Sequence, residues 1–252
     1  MLARKLLAAA VLAVVAATGL LACSSADDPN VLTVGTEGTY APFSYQDNGT
    51  LTGYDVEVAR VVGEKLGKRV EFVQTPWDSI FAGLESQRFD LVANQVTVNP
   101  ERTAKYALSQ PYTTSEGVIV TKSDYTAITS LADLSGKTTA QSATSNWSQV
   151  AKDAGAKVEA VEGFVQAVQL LKAGRVDATV NDTLAVGEYT KKTGDTGIKI
   201  AGKTGETSKQ AFAARKDDSA LIADIDKALE QLRADGTLAR LSEKYFGTDV
   251  SK

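Results

Sequence analysis

Two stretches of this chain read alike, and that likeness constrains the fold more than any other feature. "WDSIFAGLESQRFDLVAN" runs from Trp77 to Asn94, and "FVQAVQLLKAGRVDATVN" runs from Phe164 to Asn181. Trp77, Phe81, Leu84, Arg88, Asp90 and Asn94 match Phe164, Val168, Leu171, Arg175, Asp177 and Asn181, each pair 87 positions apart. In both, apolar residues at helical spacing lead through a turn into a short apolar run with a polar exit. A helix feeding a buried strand needs a sheet around that strand. The chain is therefore read as α/β with two similar lobes. Its 252 residues are enough for two small cores.

The remaining segments fit this plan. "VLTVG" at 31–35 is a first strand, and Asn48-Gly49 in "SYQDNGTLTGY" predicts a hairpin, since both residues tolerate positive φ. "DVEVARVVGEKLG" predicts a helix with Val58, Val61, Val62 and Leu66 on one face and Gly67 at its end. "LADLSGKTTAQSATSNW" reads as a strand, a small-residue loop and a helix starting near Asn146. "SALIADIDKALEQLRADGTLARLSEKYFG" reads as two helices split at Asp235-Gly236, with Ile222, Ile225, Leu229 and Leu232 as a core stripe. Asp90 and Asp177, each just past a helix-strand turn, are read as braces of that turn.

"NQVTVNPER", residues 94–102, has two readings. It is an ordinary solvated strand exit or the rim of a binding site. Ligands of open α/β sheets bind beyond the carboxyl ends of strands. Asn94 to Thr97 lies at one such end and Asn181-Asp182 at the other, so the rim of a cleft between lobes is favoured.

Charge and composition narrow the chemistry. The net charge of −4 argues against a nucleic-acid partner. With no histidine, the usual general base, zinc ligand and Ser-His-Asp triad are all absent. There is no Walker loop, GxGxxG, CxxC or EF-hand pattern. No cofactor, no metal and no enzymatic activity are expected. "MLARKLLAAAVLAVVAATGLLAC" has a basic start, an apolar core and a small residue before Cys23. It is an export signal or an N-terminal membrane anchor. Its Leu20-Leu21-Ala22-Cys23 ending resembles the bacterial lipoprotein box, which implies a signal peptide over 1–22 and acylation of Cys23. Residues 23–30 are then a lipidated tether. Loss of Arg4 and Lys5 would leave 25 basic against 31 acidic residues, a net charge of −6.

In order along the chain stand "VGTEGTYAPFSY", "GYDVEVA", "FDLVANQVTVNPERTAKYALSQPY", "GRVDATVND" and "DGTLARLSEKYFG". Together they resemble the bacterial extracellular solute-binding proteins of the polar amino acid class (family 3), receptor subunits of ABC importers. "NQVT" and the ending "LSEKYFGTDVSK" resemble the cystine-binding members most. The resemblance implies a two-lobed periplasmic-binding-protein fold of type II, with two crossover strands as hinge. Lobe 1 would be 31–115 and 209–252, and lobe 2 would be 116–208.

The resemblance also implies roles. Arg102 would hold the ligand α-carboxylate, with Thr97 and, from lobe 2, Thr144 beside it. Asp182 would pair with the α-ammonium, helped by the Gln95 carbonyl. Tyr40, Phe43 and Trp77 would wall the ligand side chain. Asn94 and Gln95 replace the small serines of many relatives and make the pocket floor bulkier and more amide-like. With Gln141 and Asn146 they would meet the second polar head of cystine. The implied partners are a small amino acid ligand, an ABC permease, and the outer face of the cytoplasmic membrane through the lipid anchor, with the protein a monomer. Three alternatives stay open: another polar amino acid such as glutamine, a cyclohexadienyl dehydratase-like enzyme on the same fold, and a sensing module for a signalling partner.

Overall fold

The structure is a computed structural model and describes residues 28–252. The export signal, Cys23 and most of the tether lie outside the described residues. The first half of the chain folds as β1 (Val31–Thr36), β2 (Thr39–Tyr40), β3 (Ser44–Asp47), β4 (Thr50–Thr52), α1 (Tyr54–Lys65), β5 (Arg69–Gln74), α2 (Trp77–Glu85), β6 (Leu91–Thr97), α3 (Pro100–Lys105) and β7 (Tyr106–Leu108). Strand β8 (Thr113–Lys122) then crosses to the second lobe. There follow a 3-10 turn at Leu131–Leu134, β9 (Thr138–Gln141), α4 (Asn146–Asp153), β10 (Lys157–Ala160), α5 (Phe164–Lys172), β11 (Thr179–Asp182) and α6 (Thr183–Thr193). The 18-residue strand β12 (Ile198–Arg215) returns to lobe 1, where α7 (Ser219–Ala234) and α8 (Thr237–Phe246) complete the fold.

Both lobes have the same strand order. In lobe 1, β5, β1 and β6 run parallel in that order, and β12 adds to β6 antiparallel. In lobe 2, β10 and β9 run parallel, Ala178 beside β11 bridges to Thr139 in β9, and β8 adds to β11 antiparallel. Each sheet is thus finished by a strand that also runs into the other lobe. Strands β8 and β12 pair antiparallel along the crossing, and their ladder slips between Lys203 and Thr207, opposite Val118 and Glu116.

Helices cover both faces of each sheet. Val58 and Val62 of α1 pack with Ile225, Leu229 and Leu232 of α7 on one face of lobe 1, while Ile80 and Leu84 of α2 pack with Phe89 on the other. In lobe 2, Val168 and Leu171 of α5 fill one face, and Ala151 of α4 with Leu134 fills the other. Strand β6 is buried from Leu91 to Val96, which explains its continuous apolar start.

The matched stretches fold alike. Helices α2 and α5 are each nine residues long and begin at Trp77 and Phe164. Gln87 and Gly174 follow them at matched positions, with φ of 60° and 69°. Asp90 accepts from Thr33 N (3.0 Å) and Thr33 Oγ1 (2.7 Å), and Asp177 accepts from Thr138 N (2.8 Å). Both acids tie the turn to the first strand of their own sheet, as braces. Asn48 and Gly49 sit at φ 49° and 79° between β3 and β4, as the hairpin requires. Among the described residues no helix is long and apolar enough to cross a membrane.

Candidate functional site

The carboxyl ends of β1 and β6 face those of β9 and β11 across a cleft. Trp77, first residue of α2, stands in its middle. On one side is a small recess bounded by Glu37, Tyr40, Asn94, Gln95 and Gln141. On the other is a larger open groove bounded by Thr97, Arg102 and Thr144. Trp77 and Asn146 border both.

Arg102 is placed by α3. Asn99 caps that helix by accepting from Arg102 N at 2.8 Å. The guanidinium lies over the rings of Trp77 (5.1 Å) and Phe81 (5.6 Å), and its Nη1 donates to the Thr97 carbonyl at 3.0 Å. Arg102 is 7% exposed, and burial lowers its pKa to about 10. No carboxylate of the described residues pairs with it. A desolvated guanidinium with free donors is a receptor for a carboxylate, which its planar fork binds in bidentate fashion.

Asp182 is a second buried charge, in lobe 2, and borders neither cavity, whereas its neighbour Asn181 borders the recess. Asp182 ends β11 and caps α6, with Oδ1 accepting from Leu184 N at 2.8 Å. Oδ2 accepts from Ser115 Oγ and, at 3.4 Å, from Gln210 Nε2. It is 2% exposed, burial raises its pKa to about 6, and no basic side chain of the described residues pairs with it. A buried carboxylate held only by neutral donors favours a cationic partner.

The amides of β6 are struts. Asn94 Oδ1 accepts from Glu37 N at 2.8 Å, and its Nδ2 donates to Glu37 Oε2 at 2.5 Å. Gln95 adopts φ 51°, held by Asp55, which accepts from Gln95 N and Nε2, both at 2.6 Å. The β6–β12 ladder is irregular here, between Ala211 and Ala213. Three buried cleft atoms, Gln95 Oε1, Gln141 Nε2 and Trp77 Nε1, have no partner among the described residues. A bound polar molecule would satisfy them.

The other expected residues divide. Tyr40 borders the recess and donates to Asn181 Oδ1 across the cleft at 2.8 Å. Thr97 lies near the hinge, its hydroxyl 3.4 Å from that of Ser208. Thr144 borders the groove, but its N–H and hydroxyl donate to Asp78 at 3.0 and 2.7 Å. Phe43, expected as a wall, is instead fully buried in the lobe 1 core. Its ring packs against Tyr40 (5.0 Å) and Phe246 (5.9 Å) and backs the wall from behind.

Glu37, Asp55 and Asp78 were not anticipated. Burial raises the pKa of both Glu37 and Asp55 to about 7. Glu37 follows the last residue of β1. The strand-end rule that singled out Asn94 therefore also points to it.

Known proteins share this architecture. Residues 32–248 match the family described as bacterial extracellular solute-binding proteins, family 3. The L-cystine-binding protein TcyA of Bacillus subtilis is 54% identical over 88% of this chain and 83% of its own length. An ancestral arginine-binding protein bound to arginine superposes with a TM-score of 0.81 at 40% identity, over 86% of this chain and 99% of that one. The L-cystine solute receptor of Neisseria gonorrhoeae, in its unliganded open conformation, gives a TM-score of 0.60 at 48% identity, over 88% and 94%. The chain therefore superposes better on the arginine-bound protein than on the unliganded open receptor, although the latter is nearer in sequence.

Proposed function

This chain belongs to the bacterial extracellular solute-binding proteins of family 3, and from that premise we propose that it is the amino acid receptor of an ABC importer, with cystine as its ligand. One observation carries the reading. A buried cation, Arg102, and a buried anion, Asp182, each without a charged partner among the described residues, stand in the two lobes that close on one cleft. A zwitterionic amino acid head satisfies both at once.

Cystine has a second such head beyond its disulfide. Glu37 lies in the recess beyond Trp77 and can accept the distal ammonium. Gln141 Nε2 offers a donor for the distal carboxylate, and the Trp77 ring packs well against sulfur. The 54% identity to a cystine-binding protein supports the same ligand. A basic amino acid such as arginine is the second reading, because Glu37 also suits a guanidinium or ammonium.

Calorimetry under non-reducing conditions decides between them. Among cystine, arginine, glutamine, histidine and glutamate, cystine binds tightest. Tighter arginine binding would transfer the assignment and keep Glu37 as its anchor.

Closure proceeds about β8 and β12, with the lobe limits near Ser115–Glu116 and Ser208–Lys209. The protein works as a receptor and not as an enzyme, so incubation with prephenate or arogenate leaves both unchanged. It is exported and held on the membrane by an acylated Cys23, since two or more acyl chains suffice for stable attachment. A Cys23→Ala variant is released in soluble form with its ligand affinity kept. Retention of that variant in the membrane fraction would point to an uncleaved helix.

A further inference from the structure

Several side-chain contacts join the lobes, among them Lys192 over the Tyr45 ring and Gln210 to Asp182, and two of them involve residues that lie at or next to the cavity rims. One is Tyr40 to Asn181. The other is built around Asp78, an exposed residue of the first turn of α2 in lobe 1. Its Oδ1 accepts from Thr144 N (3.0 Å) and Thr144 Oγ1 (2.7 Å), and its Oδ2 accepts from Ala143 N (3.3 Å). Ala143 and Thr144 belong to the loop that enters α4 in lobe 2. One carboxylate of lobe 1 thus gathers three donors of lobe 2.

The contact is specific to one lobe. The residue 87 positions on, at the second position of α5, is Val165, which is apolar and 50% exposed. The repeated unit therefore does not itself require an acid at this place. Nor does Asp78 need the contact to find hydrogen bonds, because an exposed carboxylate is well solvated. What the contact does is join the lobes beside Trp77, where both cavities meet.

We propose that Asp78 is a closure latch. It holds the Ala143–Thr144 loop against α2, lengthens the life of the closed state and so slows ligand release. This goes beyond the assignment of cystine and does not depend on it. The geometry has a rival meaning. Thr144 is a residue that the family resemblance gives to the ligand carboxylate, and Asp78 could be a competitor that the ligand must displace. The two meanings differ in sign. A latch strengthens binding, because the closed state it favours is the state that binds. A competitor weakens it.

The test uses Asp78→Asn, which keeps shape and removes charge, and Thr144→Val, which removes the hydroxyl from the other side. Small-angle scattering of both variants without ligand is compared with the parent protein. Stopped-flow and calorimetric titration with cystine follow. With a latch, Asp78→Asn has a larger radius of gyration. Its cystine Kd is about tenfold higher, or ~1.4 kcal/mol, with the change in the dissociation rate. Thr144→Val shifts scattering the same way by less. Unchanged scattering overturns the latch, including where the Kd rises, since Asp78 would then act on the ligand alone. Tighter cystine binding in Asp78→Asn establishes the competitor instead. Should cystine bind neither protein, the scattering comparison still decides for or against the latch.

Discussion

The two lobes share a scaffold and differ in the groups that scaffold presents. Positions 87 apart agree wherever the residue packs or braces. Trp77 and Phe164 open equal helices, Leu84 and Leu171 are fully buried beneath them, and Asp90 and Asp177 tie the turn to the neighbouring strand. At the cleft the matched pairs diverge. Gln95 stands opposite Asp182 in this register, and Arg102 opposite Tyr189. Lobe 1 therefore carries a cation, Arg102, and lobe 2 an anion, Asp182, at positions that do not correspond in this register. Packing demands the same residue types in both lobes, while an unsymmetrical ligand demands opposite charges.

The largest effects come from removing that charge difference. Truncating one partner of a desolvated charge pair costs about 2–5 kcal/mol. At 1.4 kcal/mol per decade, Arg102→Gln and Asp182→Asn should each weaken cystine binding by roughly thirty-fold to several thousand-fold. Titration calorimetry measures this. The ligand-free variants should melt no lower than the parent, because each has lost a buried charge without a partner. A lower melting temperature would make that side chain part of the scaffold.

Acidity separates binding from stability. Burial raises Asp182 to about 6 and Glu37 and Asp55 to about 7, above their ordinary values of 3.8, 4.5 and 3.8. The folded protein then holds more protons than the unfolded chain between about pH 4 and 7. Stability without ligand is greatest at the acid end of that window and falls as pH rises through 6 and 7. Binding runs the other way. The two ligand ammonium groups need ionised Asp182 and Glu37, so cystine affinity begins to fall below about pH 7 and falls more steeply, by more than tenfold per pH unit, below about pH 6. The chain has no histidine to blur this window. Melting and calorimetry from pH 5 to 8 should show the opposite slopes, and a ligand-free melting temperature that climbs with pH would refute them.

The smallest effects test the shared scaffold. Asp90 accepts two bonds from Thr33 and lies 3.7 Å from Arg215, whereas Asp177 accepts one from Thr138. At about 1 kcal/mol per hydrogen bond, Asp90→Ala should cost ~2 kcal/mol of stability and Asp177→Ala ~1 kcal/mol. Denaturant titration measures both. Neither should change the cystine Kd beyond about twofold.

The same comparison explains what could be read from the amino-acid sequence. Helices α2 and α5, the Asn48-Gly49 turn and the Ile222–Leu232 stripe follow from periodicity and local backbone preference, which need only nearby residues. Asp182 stood at a strand end, where chemistry is expected, Arg102 followed the polar exit of another strand, and the family resemblance gave them their roles. Phe43 was misplaced because an aromatic residue in a loop looks the same whether it faces a ligand or the core. The acids were harder. Asp55 meets Gln95 40 residues away and Asp78 meets Thr144 66 residues away, so each looks like an ordinary acid in the first turn of a helix until the chain is folded.

Ligands that lack one charge type test most directly whether each lobe supplies one charge to an amino acid head. Cystamine keeps the disulfide and both ammonium groups but has no carboxylate. 3,3′-Dithiodipropionate keeps the disulfide and both carboxylates but has no ammonium. Titrated calorimetrically into the unmodified protein, cystine should bind, and each analogue should bind at least about a hundredfold more weakly, because Arg102 or Asp182 is then left buried and unpaired. An analogue that binds within about threefold of cystine would show that the charge it cannot satisfy lies outside the site, and the two-lobe clamp would be wrong.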